Sequence, residues 1–206
     1  EQLAERSSFL EVAWLLLFGE LPSRAELDGF ADDVTRHTML NENFGRFFGA
    51  LPRDAHPMPV CAAAVGALAT FYQEPEDEQK WKESAVRLLA KMPTIAAYSY
   101  KHSTGQPSIY PRNALDYCSN FLYMMFATPC EEYVVDPVLA RTLDLLMILH
   151  ADHEQNCSTS TVRMVGSSQA NLFASISSGI SALWGALHGG ANQRVIEMLE
   201  RIRAEE

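Results

Sequence analysis

The chain has 206 residues, 48% of them hydrophobic, which is enough apolar content to bury one well-packed domain. Its 26 acidic and 16 basic side chains give a formal charge of -10. That balance excludes an extended nucleic-acid or anionic-membrane surface, because both need concentrated Lys and Arg, and leaves room only for a local basic pocket. Cys61, Cys118, Cys130 and Cys157 show neither Cys-x-x-Cys spacing nor a disulfide framework, so reduced thiols in a cytoplasmic protein are expected. The most apolar helix candidate, Val60 to Tyr72, is too short and alanine-rich to span a bilayer, and no signal peptide opens the chain. The start at Glu1, without methionine, reads as a fragment or a processed chain.

In chain order, Ser8-x-x-Glu11 is a capping box, and the apolar run Val12 to Phe18 stops at Gly19. Ser23-x-x-Glu26 opens a second helix with Leu27, Phe30 and Val34 on one face, ending near Arg36-His-Thr-Met39. Asn41 to Leu51 is a third candidate, closed by Pro52. Pro57 and Pro59 precede an alanine-rich helix ending near Tyr72, and Glu74 to Glu78 forms a solvated turn. Glu78 to Lys91 is an amphipathic helix stopped by Pro93; Thr94 to His102 is helical again, and Ser103 to Arg112 is loop. Asn113 to Phe126 is an aromatic and methionine-rich helix, and Asp136-Pro137 opens the next. Nothing alternates with strand period for long, and no repeat or linker interrupts the chain, so one all-α domain is expected.

Met147 to Ile196 holds the densest set of reactive groups. His150 and His153 stand at i and i+3 after an apolar helical run and should share a face, with Asp152 and Glu154 beside them. Asn156 to Thr161, rich in small hydroxyl residues, disfavours helix but suits close backbone contact with a ligand. Asn171 to Trp184 reads as a tightly packed buried helix, and His188-Gly-Gly190 as a break before the helix Ala191 to Arg203. A histidine there meets the positive end of a helix dipole, which disfavours imidazolium; a neutral ring can hydrogen-bond a developing enolate or oxyanion. Standing alone, these histidines read equally as helix-end imidazoles satisfied by nearby acids or backbone groups.

Together, His150-Ala-Asp-His-Glu-Gln-Asn156, Ser158-Thr-Ser-Thr161, Val165-Gly-Ser-Ser168 and Leu187-His-Gly-Gly-Ala-Asn192 resemble citrate synthase of the bacterial NADH-sensitive type. The resemblance runs over essentially the whole chain, through Glu11 to Glu20, Arg36-His-Thr-Met39, Lys91-Met-Pro93 and Tyr110-Pro-Arg-Asn113. Ala186 and Leu172 depart from it, standing where the family has proline. The resemblance implies a multi-helix large domain over 1–187, truncated before most of a small domain of which 188–206 is the first helix. His188 is then the catalytic histidine that hydrogen-bonds the thioester oxygen of acetyl-CoA, and His150, His153 and Asn156 belong to the oxaloacetate site. No metal or cofactor is required. The second catalytic histidine, the proton-abstracting aspartate and the substrate arginines belong downstream of Glu206, so the 206-residue chain by itself is expected to form no citrate; citrate from a clean preparation of it would refute this.

The same resemblance places an allosteric NADH pocket on Arg36, His37, Met39, Tyr72, Arg87, Lys91, Thr128, Cys130 and Arg141. It also implies homodimers assembling into hexamers, with the apolar faces of Asn113 to Phe126 and Val60 to Tyr72 as candidate contacts. Closely related 2-methylcitrate synthases run the same chemistry on propionyl-CoA. Two other readings compete. One is a metal-dependent hydrolase of the HD type using His150 and Asp152, which the His-Gly-Gly motif does not fit; the other is a non-enzymatic nucleotide-sensing or assembly domain.

Overall fold

The computed structural model describes residues 2–73, 77–152 and 154–205. Among them every regular element is an α-helix: α1 (Gln2–Arg6), α2 (Phe9–Phe18), α3 (Arg24–Arg36), α4 (Phe44–Gly49), α5 (Pro57–Leu68), α6 (Glu78–Thr104), α7 (Tyr117–Phe126), α8 (Pro137–Leu149), α9 (Cys157–Gly166), α10 (Leu172–Leu183) and α11 (Gly190–Glu205). The all-α expectation is met, and no described helix is long and apolar enough to cross a membrane. The chain divides into two compact units, Glu1–Ala55 with Asp77–His153, and His56–Glu76 with Glu154–Glu206. The expected turn over Glu74 to Glu78 lies largely outside the described residues.

Local chemistry sets most helix ends. The Ser23 hydroxyl accepts from Glu26 N–H while the Glu26 carboxylate accepts from Ser23 N–H, a complete capping box. Ser8 makes only the first of these bonds, and Gly19 closes α2 at φ 88°, a conformation that favours glycine. Other boundaries differ from expectation. The Asn41 side chain accepts from Asn43 N–H at 3.0 Å, a turn that competes with helix, so α4 begins only at Phe44. Pro57 and Pro59 lie inside the first turn of α5, where no N–H is needed. Asp116 caps Ser119 N–H at 2.8 Å, so α7 starts at Tyr117 rather than Asn113.

The largest correction is α6, which runs through Pro93 instead of stopping at it. Proline at that position leaves the carbonyl of Leu89 without its usual i+4 partner. Here the Tyr117 hydroxyl donates to that carbonyl at 2.9 Å, so α7 supplies the bond that the sequence removes from α6. Tyr117→Phe is therefore expected to lower stability by about 1–2 kcal/mol, because it orphans the carbonyl while barely changing apolar burial. Urea unfolding with an unchanged midpoint would refute it.

In the first unit, Ala13, Phe30, Val34 and Ala90 form a buried cluster beneath Trp14 and Phe18, whose ring centroids are 4.2 Å apart. The long helix α6 then fastens the loops around it: Lys91 and Thr94 hold the segment after α3, His102 donates to Leu51 O at 3.0 Å, and wholly buried Lys101 donates to Ala127 O at 2.7 Å. In the second unit, α10 packs against α5 and α9 through small residues. Ser177 donates to Ala62 O at 2.7 Å, which brings its oxygen close to Gly66, and Tyr72 stacks on Phe173 at 5.2 Å. Val60, Val65 and Leu68 of α5 are buried within the chain, whereas Leu139, Leu146 and Leu149 of α8 are exposed.

Candidate active site

The expected break before α11 is present. Trp184 to Gly189 forms a tight turn in which Gly185 O accepts from both His188 N–H at 2.9 Å and Gly189 N–H at 3.0 Å. The His188 ring is held from the side by α9: its Nε2 lies 2.9 Å from the Ser158 hydroxyl, which also reaches Gly179 O at 2.9 Å. That approach depends on Gly179, where a Cβ would meet Val162 Cγ2 at 2.6 Å. A glycine at this position in α10 thus lets α9 come close enough for Ser158 to touch the ring.

This geometry links the serine rotor to the histidine tautomer. Ser158 has one hydroxyl proton. When it goes to Gly179 O, Ser158 can only accept from the ring, and the imidazole proton lies on Nε2. When it turns to the ring, Nε2 accepts and a neutral imidazole carries its proton on Nδ1, ready to donate to a ligand oxygen. A cleft of about 540 Å³, lined by His56, Trp184, Gly189, Gly190, Arg194 and Glu197 among others, lies beside the turn. Leu187 is fully exposed.

The other expected site residues lie around the ends of α8 and α9. α8 ends at Leu149, and His150 is its C-cap, with Nδ1 donating to Leu146 O at 2.7 Å. His153 itself lies outside the described residues. Asn156 is the N-cap of α9, its Oδ1 accepting from Thr159 N–H at 3.0 Å. The hydroxyl-rich run after Asn156 is therefore the first turn of a helix, not irregular backbone, because that cap offsets its poor helix propensity. Glu154 just before it adopts φ 57°. His150 belongs to the first unit, Asn156 and His188 to the second. Among the described residues no group of three His, Cys, Asp or Glu is placed to share a metal ion.

The residues expected for NADH fall into several groups. Arg36, His37, Met39, Arg87 and Lys91 gather where α3 meets α6. His37 is the C-cap of α3, with Nδ1 donating to Asp33 O at 2.7 Å; Arg36 pairs with Asp32 at 2.6 Å and Arg87 with Glu83 at 3.3 Å. His37 and Arg87 line a groove of about 650 Å³ over Trp14, Phe18 and Phe30. Arg141 lies elsewhere: it donates to Ala4 O and Ser7 O and pairs with Asp144 at 2.6 Å, tying α8 to the end of α1. Thr128 and exposed Cys130 follow α7, and Tyr72 is in the second unit.

Sequence reasoning did not single out Ser158 within its run of hydroxyl residues or Gly179 inside α10. The one available signal was a glycine within a helical pattern, which marks close approach without naming the neighbour.

Among the described residues every regular element is thus helical, and His188 stands at the entrance to α11 with its ring against the Ser158 hydroxyl. Comparison with known proteins is specific. The family model described as citrate synthase, C-terminal domain, matches residues 1–206. "Citrate synthase 1" of Mycobacterium tuberculosis is 59% identical over 206 residues, covering 98% of this chain and 48% of that protein. Among solved structures, citrate synthase from Pyrobaculum aerophilum superimposes with a TM-score of 0.85 at 36% identity, covering 98% of this chain and 51% of the other. That from Thermotoga maritima gives 0.82 at 32% identity with the same coverage of 98% and 51%. The chain belongs to the citrate synthase family, and it spans about half the length of the curated relatives it matches.

Proposed function

We propose that the chain supplies the His188 side of a citrate synthase, which condenses acetyl-CoA with oxaloacetate and water to give citrate and CoA. The observation that carries this reading is the Ser158 to His188 contact of 2.9 Å within Leu187-His-Gly-Gly, at the entrance to α11. His188 donates to the thioester oxygen as the acetyl group enolises, and Ser158 sets which nitrogen does so. His150, His153 and Asn156 serve oxaloacetate, which requires the Asn156 amide to share or release its capping bond. Residues 188–206 begin the small domain that follows 1–187. The reaction needs only small-molecule substrates and no resident cofactor.

The NADH-sensitive class is part of the proposal, supported by the gathering of Arg36, His37, Met39 and Arg87 around buried Lys91 in an acidic protein. Tyr72, Thr128, Cys130 and Arg141 are further residues assigned to NADH in this reading. It carries with it cytoplasmic location and homodimers that assemble into hexamers. The test is to incubate the full-length protein with oxaloacetate and either acetyl-CoA or propionyl-CoA, following free thiol and product. Citrate formation, inhibited by NADH, is expected. Faster turnover of propionyl-CoA would reassign it as a 2-methylcitrate synthase, and no condensation by folded protein would defeat the reading.

A further inference from the structure

Three successive backbone carbonyls after α3 turn towards α6. His37 O and Met39 O each accept from Lys91 Nζ at 2.7 Å, and Thr38 O accepts from Thr94 Oγ1 at 2.8 Å. Lys91 is 5% exposed and Thr94 fully buried. An ammonium facing two carbonyl dipoles is well used electrostatically, but it is turned away from anything in solvent. Burial and the neighbouring Arg87 push the Lys91 pKa down to about 8, as expected for a cation without a carboxylate partner. With the carbonyls drawn inward, side chains on the other side of the segment point out: Met39 is 53% exposed and Arg36 is exposed beside it.

We infer that Lys91 is a positioning residue for the strip Arg36 to Met39, fixing its backbone so that Arg36 and Arg87, not Lys91, meet the phosphates of a nucleotide. The inference rests on the nucleotide reading of this face given above and adds a division of labour within it. A cation that contacts phosphate should matter only for charged ligands; one that orders the strip should matter equally for a nucleoside without phosphate.

The experiment uses full-length protein carrying Lys91→Met, Lys91→Ala or Arg87→Gln. It measures hydrogen exchange of amides 37–41 and the calorimetric affinity of NADH and of adenosine. Lys91→Met, which keeps the apolar stem, is expected to speed exchange in 37–41 by at least about tenfold, and to weaken NADH and adenosine by similar factors. Arg87→Gln is expected to weaken NADH alone and leave exchange unchanged. In Lys91→Ala, added propylammonium should restore slow exchange, whereas 1-propanol should not, a rescue that general loss of packing would not show. Unchanged exchange in Lys91→Met, or a loss confined to NADH, overturns the inference. Faster exchange in a protein whose wild type binds no nucleotide instead defeats the nucleotide reading and leaves the role of Lys91 in holding the strip established.

Discussion

His188→Ala in the full-length protein is expected to lower kcat for citrate formation by about 10³-fold, with a much smaller effect on the KM for oxaloacetate. The methyl group of a thioester is a weak acid, and its deprotonation puts charge on the thioester oxygen. A donor already aimed at that oxygen stabilises the charge as it forms without reorganising. In the proposed reading His188 is that donor: the Gly185 carbonyl fixes the turn that carries it, and Ser158 holds its ring at 2.9 Å. In the same reading oxaloacetate is held by other residues, so the loss should fall on kcat. Ser158→Ala should cost about 10-fold to 100-fold by the same route, since it removes the partner that orients the ring and selects its tautomer. A His188→Ala enzyme within a few-fold of wild type would remove this residue from the chemistry.

The second large effect is expected from Gly189→Ala. A Cβ at residue 189 would lie 2.1 Å from Leu183 O and 3.2 Å from Leu183 C, which are backbone atoms at the end of α10 and cannot swing aside. Its φ is not positive, so the constraint is space rather than conformation. The turn must open, which breaks the paired bonds to Gly185 O and moves His188 away from Ser158. A cost of about 2–4 kcal/mol is expected, with activity falling as in His188→Ala. Gly190→Ala is the matched control: nothing lies within 4 Å of its Cβ, and alanine suits the first position of α11. Its stability should stay within about 0.5 kcal/mol of wild type. Urea unfolding of the two variants compares them directly, and equal midpoints would show that the turn is not crowded.

Much of this was readable before the fold. The capping chemistry of Ser23 and Gly19 placed helix ends correctly because caps act through bonds spanning three or four residues. The Leu187-His-Gly-Gly break preceded a helix as expected, since its two glycines and the apolar spacing after them are likewise local. Where the sequence misled, a bond that propensity does not count had intervened, once from a distant residue and otherwise from within a turn. Pro93 should end a helix and does not, because Tyr117 supplies the bond that Leu89 O lacks. Asn156 to Thr161 should resist helix, yet its capping bond carries it into α9. His150 stands just past the end of α8, and its ring turns back to Leu146 O one turn earlier.

The sequence by itself determined the class of protein: all-helical, acidic, with its reactive groups concentrated between Met147 and Ile196, since composition, periodicity and motif order are properties of the chain alone. Tertiary structure decided what each of those groups does. Lys91 is charged in any sequence, but only the inward carbonyls of His37 and Met39 make it an internal cation. Serine occurs throughout the second half of the chain, but only the gap above Gly179 brings Ser158 to the His188 ring. The physical reason is range: propensities and caps act within a turn of backbone, whereas burial, close approach and hydrogen-bond partners depend on residues far apart in sequence.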